Sequence, residues 1–527
     1  MASKAGQVLA LLERSMSQST MSQSTRLQSA RSQQITQCSR LLPGLLFLIL
    51  MYHDGAAVSG GRLDAQEVTA VEAVRALEAL TVDTIARTEK SVVAIARVRK
   101  DASGQRRQAT VDPLSPDFVP NEFATGVVVD KGGLVLTNYH VLGDISQNDY
   151  FVWIQRRPFT ASVHRLEKVM AVDPWTDLAV LKIDATDLVP MPLGDSSQLK
   201  KGMVVIALGN PYGIARQGEV SASWGIVSNL ARIAARRPLP VGGGSGAAES
   251  LHELGTLIQT DARLNLGTSG GALVNLRGQM IGLTSSLAAL RGYEVSAGFA
   301  IPVDATFRRV LADLKAGRRP DFGFLGVQAT ELSRFDRQRG RRGALVEQVL
   351  PGTPAAAAGL RRGDVITRVN QQPVRDSDAL FREIGRQPAL AEVALQVLRE
   401  PLKEQIPRRL DLTATLSKKY VTAVADELIQ DHPVPWRGLQ IEFSTAIGVP
   451  DLSEQSQRIP LDRCVGVLSV VPQSPAWKAG LRAGDFILRV EDKKVDRPAL
   501  FRRLVDSRQG PVELELANQR TVVIQAE

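Results

Sequence analysis

The stretch IQTDARLNLGTSGGALVN, residues 258–275, places a serine in the setting that a nucleophile requires. Ser269 lies between Gly267 and the pair Gly270-Gly271, and glycines permit a tight turn that a substrate can approach closely. A nucleophilic serine also needs an exposed hydroxyl and backbone N–H groups that face a developing oxyanion. A Gly-Thr-Ser-Gly-Gly sequence can equally be a simple hairpin turn, so this motif alone leaves both interpretations open.

Two further residues have the chemistry on which a nucleophilic serine depends. His140 ends the apolar run LVLTNYH, and Asp177 directly precedes the run LAVLKI. A lone histidine is more often structural than catalytic, and Asp177 can simply cap a turn. The order His140, Asp177, Ser269 is nevertheless one of the known orders of a Ser-His-Asp triad. The three contexts together are a much stronger signal for a triad than any one of them alone.

The region around these residues is predicted to be β-structure. Between Ser91 and Val303 about twelve short apolar runs are separated by Gly, Asp, Asn and Pro turns, which indicates antiparallel barrels or a sandwich. Two polar or Gly-rich gaps, 100–122 and 231–250, are predicted surface loops. The segment Asp304–Gly317 is predicted to be a helix with Asp304 as its N-cap.

An amphipathic helix is predicted ahead of the β-region. Apolar residues recur at three-residue spacing within residues 64–88, namely Val68, Val71, Val74, Leu77 and Leu80. We expect this apolar stripe to pack on its own domain rather than to bind a partner.

The last third of the chain contains an internal repeat. A segment that begins at Gly343 matches one that begins at Val465, with six residues aligned at a constant offset of 121. The aligned pairs are Pro351 and Pro472, Pro354 and Pro475, Gly359 and Gly480, Leu360 and Leu481, Gly363 and Gly484, and Asp364 and Asp485. These matches predict two homologous domains of about 95 residues each.

Composition restricts the class of protein. The chain has 527 residues, of which 44% are hydrophobic and 23% charged, with 2 Cys, and this excludes a collagenous, coiled-coil, wholly disordered or disulfide-rich protein. The length predicts about three to five domains. The net charge of +9 comes without a nucleic-acid-binding motif, so no nucleic-acid partner is expected. The scattered histidines and few cysteines indicate no metal site.

The first sixty residues are predicted to be a targeting region. The apolar run at residues 41–51 contains about a dozen residues, whereas a membrane-spanning helix needs about 20. Basic residues before the run and small residues after it are typical of a secretory signal peptide, with an uncleaved anchor or a buried apolar stretch as alternatives. We therefore expect an exported protein of the periplasm or cell envelope, with a membrane tether by residues 41–51 as the alternative to cleavage.

These motifs resemble the HtrA (Deg) family of trypsin-like serine proteases. The resemblance rests on TGVVVDKGGLVLTNYHVL, DPWTDLAVLKID, LGNPYG, IQTDARLNLGTSGGALVN and GFAIPVD, and the repeat fits the PDZ domains that follow the protease in this family. It implies a mainly β protein with a chymotrypsin-like double β-barrel, made of two six-stranded barrels with the catalytic cleft between them, followed by two α+β PDZ domains. The expected boundaries are 1–60 for the targeting region, 61–90 for an N-terminal helical segment, 91–318 for the protease, and 321–418 and 434–527 for the PDZ domains.

The resemblance also implies the roles of the site residues. His140 would be the general base, Asp177 would orient it, and Ser269 would be the nucleophile, with the backbone N–H groups of Gly267 and Ser269 forming the oxyanion hole. Thr268 stands where the family has Asn. We expect activity to survive this change, because the residue contributes mainly its backbone to the hole.

A second residue near Ser269 also departs from the family pattern. Leu266 stands where the family often has Pro, and this change can loosen the loop and favour an inactive resting state. In the first PDZ domain, Phe324-Leu325-Gly326-Val327 resembles the loop that binds a peptide C-terminus, whereas the match that begins at Trp436 in the second is weaker. The 231–250 loop is either a regulatory contact or a solvated insertion.

The function that the resemblance implies is an ATP-independent serine endopeptidase that cleaves unfolded or damaged envelope proteins. Such an enzyme needs no cofactor and assembles as a homotrimer or a larger homo-oligomer. Two alternatives remain at this stage. A proteolytically silent PDZ adaptor or holdase is disfavoured by the intact triad residues, and a site-specific regulatory protease cannot be separated from general degradation by sequence.

Overall fold

The computed structural model describes residues 69–99, 122–154, 157–161, 171–210, 220–233, 250–285, 298–400, 407–421, 435–448 and 452–526. The predicted targeting region 1–60, with its apolar run 41–51, and most of the predicted loops 100–122 and 231–250 lie outside these residues. Within these ranges no helix has the length and apolar character needed to cross a membrane. The chain separates into two compact units, residues 1–72 and 73–527.

Seven antiparallel strands form the first sheet. They are β1 Val92–Arg99, β2 Glu122–Val128, β3 Leu134–Asn138, β4 Asn148–Ile154, β5 Arg157–Ala161, β6 Ala171–Asp173 and β7 Leu178–Lys182. Their order in the sheet is β5-β4-β1-β2-β3-β7-β6, one strand more than the expected six.

Six strands form a closed barrel after the first sheet. They are β8 Val204–Gly209, β9 Ser221–Arg232, β10 Leu257–Thr260, β11 Ala272–Asn275, β12 Met280–Ser285 and β13 Gly298–Pro302. The order around the barrel is β10-β13-β12-β11-β8-β9, which agrees with the predicted antiparallel barrel.

Strand β8 shows how the sheet and the barrel are joined. Side chains alternate across a strand, and Val205 and Ala207 of β8 lie in the core of the barrel. Ile206 and Leu208 lie instead in a cluster that also contains Leu136 of the first sheet. One strand therefore contributes to two cores, and the loops at the junction of the sheet and the barrel are held close to one another.

The N-terminal helix α1 spans Ala70–Thr88 and contradicts one expectation. Its apolar stripe does not pack on its own domain, because Val71 is 61% exposed, Val74 66%, Leu77 37% and Leu80 41%. The helix is fixed instead near its C-terminal end, where the buried Thr84 donates its hydroxyl to the Leu276 carbonyl. Three-residue spacing predicts the helix correctly but carries no information on which part of it meets a neighbour.

The helix that follows the barrel begins as predicted. Helix α2 spans Ala305–Lys315, and the side chain of Asp304 accepts a hydrogen bond from the Phe307 N–H, which makes Asp304 its N-cap. Short 3₁₀ turns lie at Glu89–Ser91, Tyr139–Val141, Ile145–Gln147, Ser196–Gln198, Leu251–Leu254, Ser444–Ala446 and Leu461–Arg463.

The two repeats fold alike, as their aligned residues predict. The first has β14 Gly323–Phe324, β15 Val327–Glu331, β16 Ala344–Val349, β17 Val365–Val369, β18 Gln372–Pro373, β19 Glu392–Arg399, β20 Arg408–Thr415 and β21 Ser417–Lys418, with helices α3 Arg334–Gln338, α4 Pro354–Ala357 and α5 Ser377–Gly385. The second has β22 Leu439–Phe443, β23 Val465–Val470, β24 Phe486–Val490, β25 Lys493–Lys494, β26 Val512–Leu516 and β27 Thr521–Ile524, with helices α6 Leu452–Arg458, α7 Pro475–Lys478 and α8 Pro498–Val505. The sheets have matching orders, β15-β16-β17-β19-β20 and β22-β23-β24-β26-β27.

Candidate active site

His140 and Asp177 are in direct contact. Strand β3 ends at Asn138, which pairs with Leu178 at the start of β7, so the residues just outside this pair are brought together. Oδ2 of Asp177 lies 2.7 Å from Nδ1 of His140, and its Oδ1 accepts a 2.9 Å hydrogen bond from the His140 backbone N–H. Because a carboxylate only accepts hydrogen bonds, Nδ1 carries the proton and Nε2 is the basic nitrogen.

The position of His140 differs from the sequence prediction in one detail. It does not end the strand but lies in the 3₁₀ turn Tyr139–Val141. The ladder stops at Asn138 because β7 begins at Leu178, and the Tyr139 N–H donates to the Asp177 carbonyl at 3.0 Å instead. This turn directs the imidazole toward Asp177.

Burial and charge act in opposite directions on His140. Burial disfavours the imidazolium and lowers the pKa, whereas the charge of Asp177 and its hydrogen bond raise it, and the net pKa of His140 lies above its ordinary value. The Asp177 side chain is only 5% exposed, so little solvent screens the pair. The arrangement therefore stabilises the imidazolium that forms when the base takes a proton.

Asp177 itself has an unusual backbone conformation. Its φ is +55°, in the left-handed region that non-glycine residues rarely adopt. The turn before it is held by Asp173, whose Oδ2 accepts hydrogen bonds from the Thr176 N–H, at 3.0 Å, and from the Thr176 hydroxyl. Burial raises the pKa of Asp173 to about 6. The left-handed conformation of Asp177 is strained, and such a conformation persists only where the surrounding structure fixes it.

The loop of Ser269 is tied to the first sheet by Thr125 of β2. The Thr125 N–H donates to the Ser269 carbonyl at 2.8 Å, and its hydroxyl donates to the Gly267 carbonyl at 2.7 Å. Gly270 has φ +82°, and a Cβ added there would lie 2.1 Å from the Thr125 carbonyl oxygen, so only glycine fits. Sequence reasoning did not identify Thr125, although it begins the quoted stretch TGVVVDKGG.

Ser269 and His140 are contributed by different parts of the fold. Ser269 precedes β11 of the barrel, whereas His140 follows β3 of the first sheet. Ser269 is 4% exposed, less than the exposed hydroxyl that the motif predicts. Nε2 of His140 is buried and has no hydrogen-bond partner within the described part of the chain, Ser269 Oγ included. In unliganded enzymes such catalytic hydrogen bonds are often long and tighten only when substrate binds.

The two residues that depart from the family pattern lie beside Gly267, whose φ is +92°. Thr268 is buried, and its hydroxyl donates to the Asn265 carbonyl at 2.6 Å while its own carbonyl accepts from the Thr284 hydroxyl at 2.5 Å. Leu266 is 60% exposed. The Thr268 side chain thus stabilises the loop through a hydrogen bond within it. The loosening effect of Leu266 stays a prediction.

The corresponding loops of the two repeats both contain a glycine with positive φ but differ in the residue before it, because Arg437 has φ +48° whereas Leu325 has no positive φ. Gly326 has φ +89° in the first repeat and Gly438 has φ +80° in the second. In the second, the Leu439 N–H donates to the Trp436 carbonyl at 2.8 Å, and the Trp436 N–H donates to the Leu439 carbonyl at 3.1 Å. No such reciprocal pair joins Phe324 and Val327 among the described residues of the first.

Arg437 adds to the difference between the two loops. It is 7% exposed, and its guanidinium donates to the carbonyls of Ile524, Gln525, Arg508 and Gly510. Its counterpart in the first repeat, Leu325, lies in the apolar core. The second loop is therefore fixed internally by hydrogen bonds.

The first repeat also contacts the turn that carries Asp177. The buried indole of Trp175 donates from Nε1 to the Gly385 carbonyl of α5 at 3.1 Å, and its ring lies 6.3 Å from that of Phe322. Arg382 of α5 donates to the Leu254 carbonyl at 2.8 Å. The end of α5 therefore contacts the turn of Asp177 through Trp175, which lies two positions before Asp177 in the chain.

The structure describes one histidine besides His140. His252 is buried, and His53, His164 and His432 lie outside the described residues. Among the residues that the structure describes, no group of three or more His, Cys, Asp or Glu side chains is placed to hold a metal ion.

Comparison with known proteins identifies the three folded parts. A family model described as a trypsin-like peptidase domain matches residues 124–283, and two models described as PDZ domains match residues 323–407 and 466–518. These matches confirm the predicted fold class, a mainly β protease followed by two PDZ domains.

Relatives that match most of the chain are named as serine endoproteases. The periplasmic serine endoprotease DegP of Salmonella typhimurium is 32% identical over 400 residues, which cover 74% of this chain and 73% of the relative. The periplasmic pH-dependent serine endoprotease DegQ of Escherichia coli strain K12 is 29% identical over 451 residues, covering 81% of this chain and 87% of that protein. A solved structure titled HtrA-type protease AlgW with tripeptide is 26% identical, with a TM-score of 0.46, and covers 64% of this chain and 97% of that one. The peptidase domain, the two PDZ domains and the 32% identity to DegP of Salmonella typhimurium show that the chain belongs to the HtrA (Deg) family of serine endoproteases.

Proposed function

We propose that this chain is an ATP-independent endopeptidase of protein quality control, with Ser269 as nucleophile, His140 as general base and Asp177 as the residue that orients the base. The observation that carries the proposal is the double contact between Asp177 and His140. It fixes the tautomer with Nε2 unprotonated, which is the form that can accept a proton from a serine hydroxyl.

The reaction follows from these roles. Ser269 Oγ attacks the carbonyl carbon of the scissile peptide bond while its proton passes to Nε2 of His140. The resulting oxyanion is stabilised by the backbone N–H groups of Gly267 and Ser269. His140 then gives its proton to the leaving amine, the C–N bond breaks, and water, activated by the same histidine, hydrolyses the acyl-enzyme. The hydrogen bond between Nε2 and Ser269 must therefore form in the substrate complex.

We propose that Phe324, Leu325, Gly326 and Val327 of the first PDZ domain bind the C-termini of substrate peptides. Val327 begins β15, which lies at the edge of its sheet, and an extended peptide can add to such an edge as a further strand. The second PDZ domain is less suited to this role, because the Leu439 N–H is already bonded to Trp436. We also propose the boundaries 91–318, 321–418 and 434–527 for the three domains.

Matched glycine substitutions test the assignment of peptide binding. Gly326→Ala and Gly438→Ala are equally strained, because both glycines have positive φ and an added Cβ would lie 2.3 Å from Thr353 and 2.2 Å from Ser474, respectively. In the full chain we expect Gly326→Ala to weaken binding of an apolar-ended free-acid peptide more than about tenfold, and Gly438→Ala to leave it within about twofold. An amidated peptide should bind more weakly than the acid. Equal binding of acid and amide, or loss of binding only in Gly438→Ala, would contradict the assignment.

The pH dependence of cleavage follows from His140. The base must be unprotonated, and the pKa of His140 is raised above its ordinary value of about 6.5. Activity should therefore be lost as pH falls through this raised pKa, and the acid limb of kcat/KM should have its midpoint above about 6.5. A kcat/KM that stays constant from pH 4 to 8, measured with a substrate for which the chemical step limits the rate, would contradict a histidine base.

We further propose export to the periplasm and assembly into trimers or larger oligomers. Support for the location comes from the periplasmic relatives DegP and DegQ, and support for the assembly comes from the family resemblance. Light scattering of the purified chain measures the assembly directly.

One experiment tests the activity and its rivals together. Purified chain is incubated with unfolded casein and with folded control proteins, with and without ATP, and a fluorophosphonate label is applied in parallel. Cleavage of casein without ATP, together with labelling of Ser269, is expected. A chain that neither cleaves nor labels would be a silent adaptor, and a chain that labels but leaves casein intact would be a protease for specific sites.

A further inference from the structure

His252 is a buried histidine next to the proposed triad, and sequence analysis gives it no role. It is 2% exposed and lies in the 3₁₀ turn Leu251–Leu254. Its Nε2 is 2.8 Å from the Thr176 carbonyl oxygen, and its Nδ1 is 2.7 Å from the Thr256 hydroxyl. A carbonyl oxygen only accepts, so Nε2 carries the proton and, in the neutral ring, Nδ1 accepts from Thr256. The ring is thus fixed in one tautomer by two partners.

The carbonyl that His252 holds belongs to the peptide bond that enters Asp177. This peptide leads directly into the residue with φ +55°. The carbonyl just before it, that of Trp175, accepts from the Leu251 N–H at 2.8 Å. Two successive carbonyls are therefore held by one turn of the barrel, while the N–H of Thr176 is held by Asp173 from the other side.

We propose that His252 is a positioning residue for the reaction, which holds the Thr176–Asp177 peptide so that the Asp177 carboxylate faces His140. It touches neither the substrate nor the reacting atoms. Rotation of this peptide would turn Asp177 out of its left-handed conformation, and both contacts of its carboxylate with His140 would be lost. The inference rests on the proposed function of His140, Asp177 and Ser269.

The charges around His252 are compatible with a neutral ring. Burial is the main effect and lowers its pKa, Arg386 acts in the same direction, and the hydrogen bond to Thr176 and the charges of Asp177 and Asp304 oppose it, with a net lowering. A small cavity is lined by His252, Thr256, Asp304 and Arg386, among others, so a side chain of somewhat different shape can be accommodated.

The test compares His252→Leu, His252→Gln and wild type in the full chain. Leucine removes both hydrogen bonds, whereas the glutamine amide can donate to Thr176 and accept from Thr256. Active sites are counted by fluorophosphonate titration, so that misfolded protein does not enter kcat. His252→Leu is expected to lower kcat about 10- to 100-fold, because small misplacements of catalytic groups have effects of this size. KM should change less than about threefold.

The pH profile distinguishes positioning from simple loss of stability. If Asp177 turns away, it no longer raises the pKa of His140, so the acid limb of kcat/KM in His252→Leu should move to lower pH. His252→Gln should restore most of kcat and the position of the limb. Thr256→Val, which removes only the partner of Nδ1, should lie between wild type and His252→Leu.

Two results would overturn the inference. One is a His252→Leu enzyme with wild-type kcat per active site and an unmoved acid limb. The other is a lowered kcat with an unmoved limb that His252→Gln fails to restore. Wild-type chain that does not react with the label, or a Ser269→Ala chain that still cleaves, would instead overturn the proposed function, and the inference with it.

Discussion

Ser269→Ala is expected to reduce peptide-bond cleavage by about 10⁴- to 10⁶-fold, the range measured for loss of a triad nucleophile. The change removes one oxygen atom and leaves the backbone contacts that shape the loop. The Ser269 carbonyl would still accept from the Thr125 N–H, and the Gly267 carbonyl would still accept from the Thr125 hydroxyl. The fold and the loop should therefore survive, and the loss should appear in kcat.

The measurement is casein or peptide cleavage per mole of folded chain, with thermal unfolding as the check on folding. Ser223→Ala is the matched control, because it also removes a single hydroxyl, the one that donates to the Arg263 carbonyl at 2.9 Å. We expect that control to retain activity within about threefold. Cleavage by Ser269→Ala at a rate near that of wild type would exclude Ser269 as the nucleophile.

Asp177→Asn is expected to lower kcat at neutral pH by about 10⁴-fold. Oδ1 of Asp177 accepts from the His140 backbone N–H, and Oδ2 faces Nδ1. In the asparagine variant the amide oxygen must face the N–H donor, so its NH₂ group faces Nδ1. Nδ1 must then accept a hydrogen bond, which moves the ring proton to Nε2. A protonated Nε2 cannot accept the proton of Ser269.

Asp187→Asn is the matched control for this substitution. Asp187 is also an aspartate with positive φ, +59°, but its side chain is exposed and it lies after the end of β7. Asparagine tolerates the left-handed conformation, so neither variant should suffer backbone strain. Activity of Asp177→Asn within tenfold of wild type, or an equal loss in Asp187→Asn, would refute the orienting role.

Local sequence patterns predicted the fold class and the contact between His140 and Asp177 well. Alternating strands, turn glycines and the flanking motifs are local signals, and β3 and β7 bring the two residues together once the strands pair. The offset of 121 predicted the two similar domains for the same reason. These features are repeated or contiguous in the chain, so they can be read without a structure.

The supports of the site could not be predicted in this way. Thr125 acts through hydrogen bonds to residues more than 140 positions away, and His252 acts on Thr176, 76 positions away. Such side-chain contacts to distant backbone have no periodicity. The prediction that the apolar stripe of α1 packs on its own domain was wrong for a related reason. Amphipathic spacing identifies an apolar face but not what covers it.

Trp175 has a consequence for how this protein responds to heat. Its ring lies in an apolar cluster that also contains Phe322, and its indole is bonded to the last residue of α5 in the first PDZ domain. Residues 73–527 form one compact unit. If the PDZ domain melted alone, this buried ring would be uncovered beside the turn of Asp177, so neither domain can lose its structure without weakening the other. The protease and its first PDZ domain should therefore unfold as one cooperative unit, with a single calorimetric transition in which peptide binding and cleavage disappear at the same temperature.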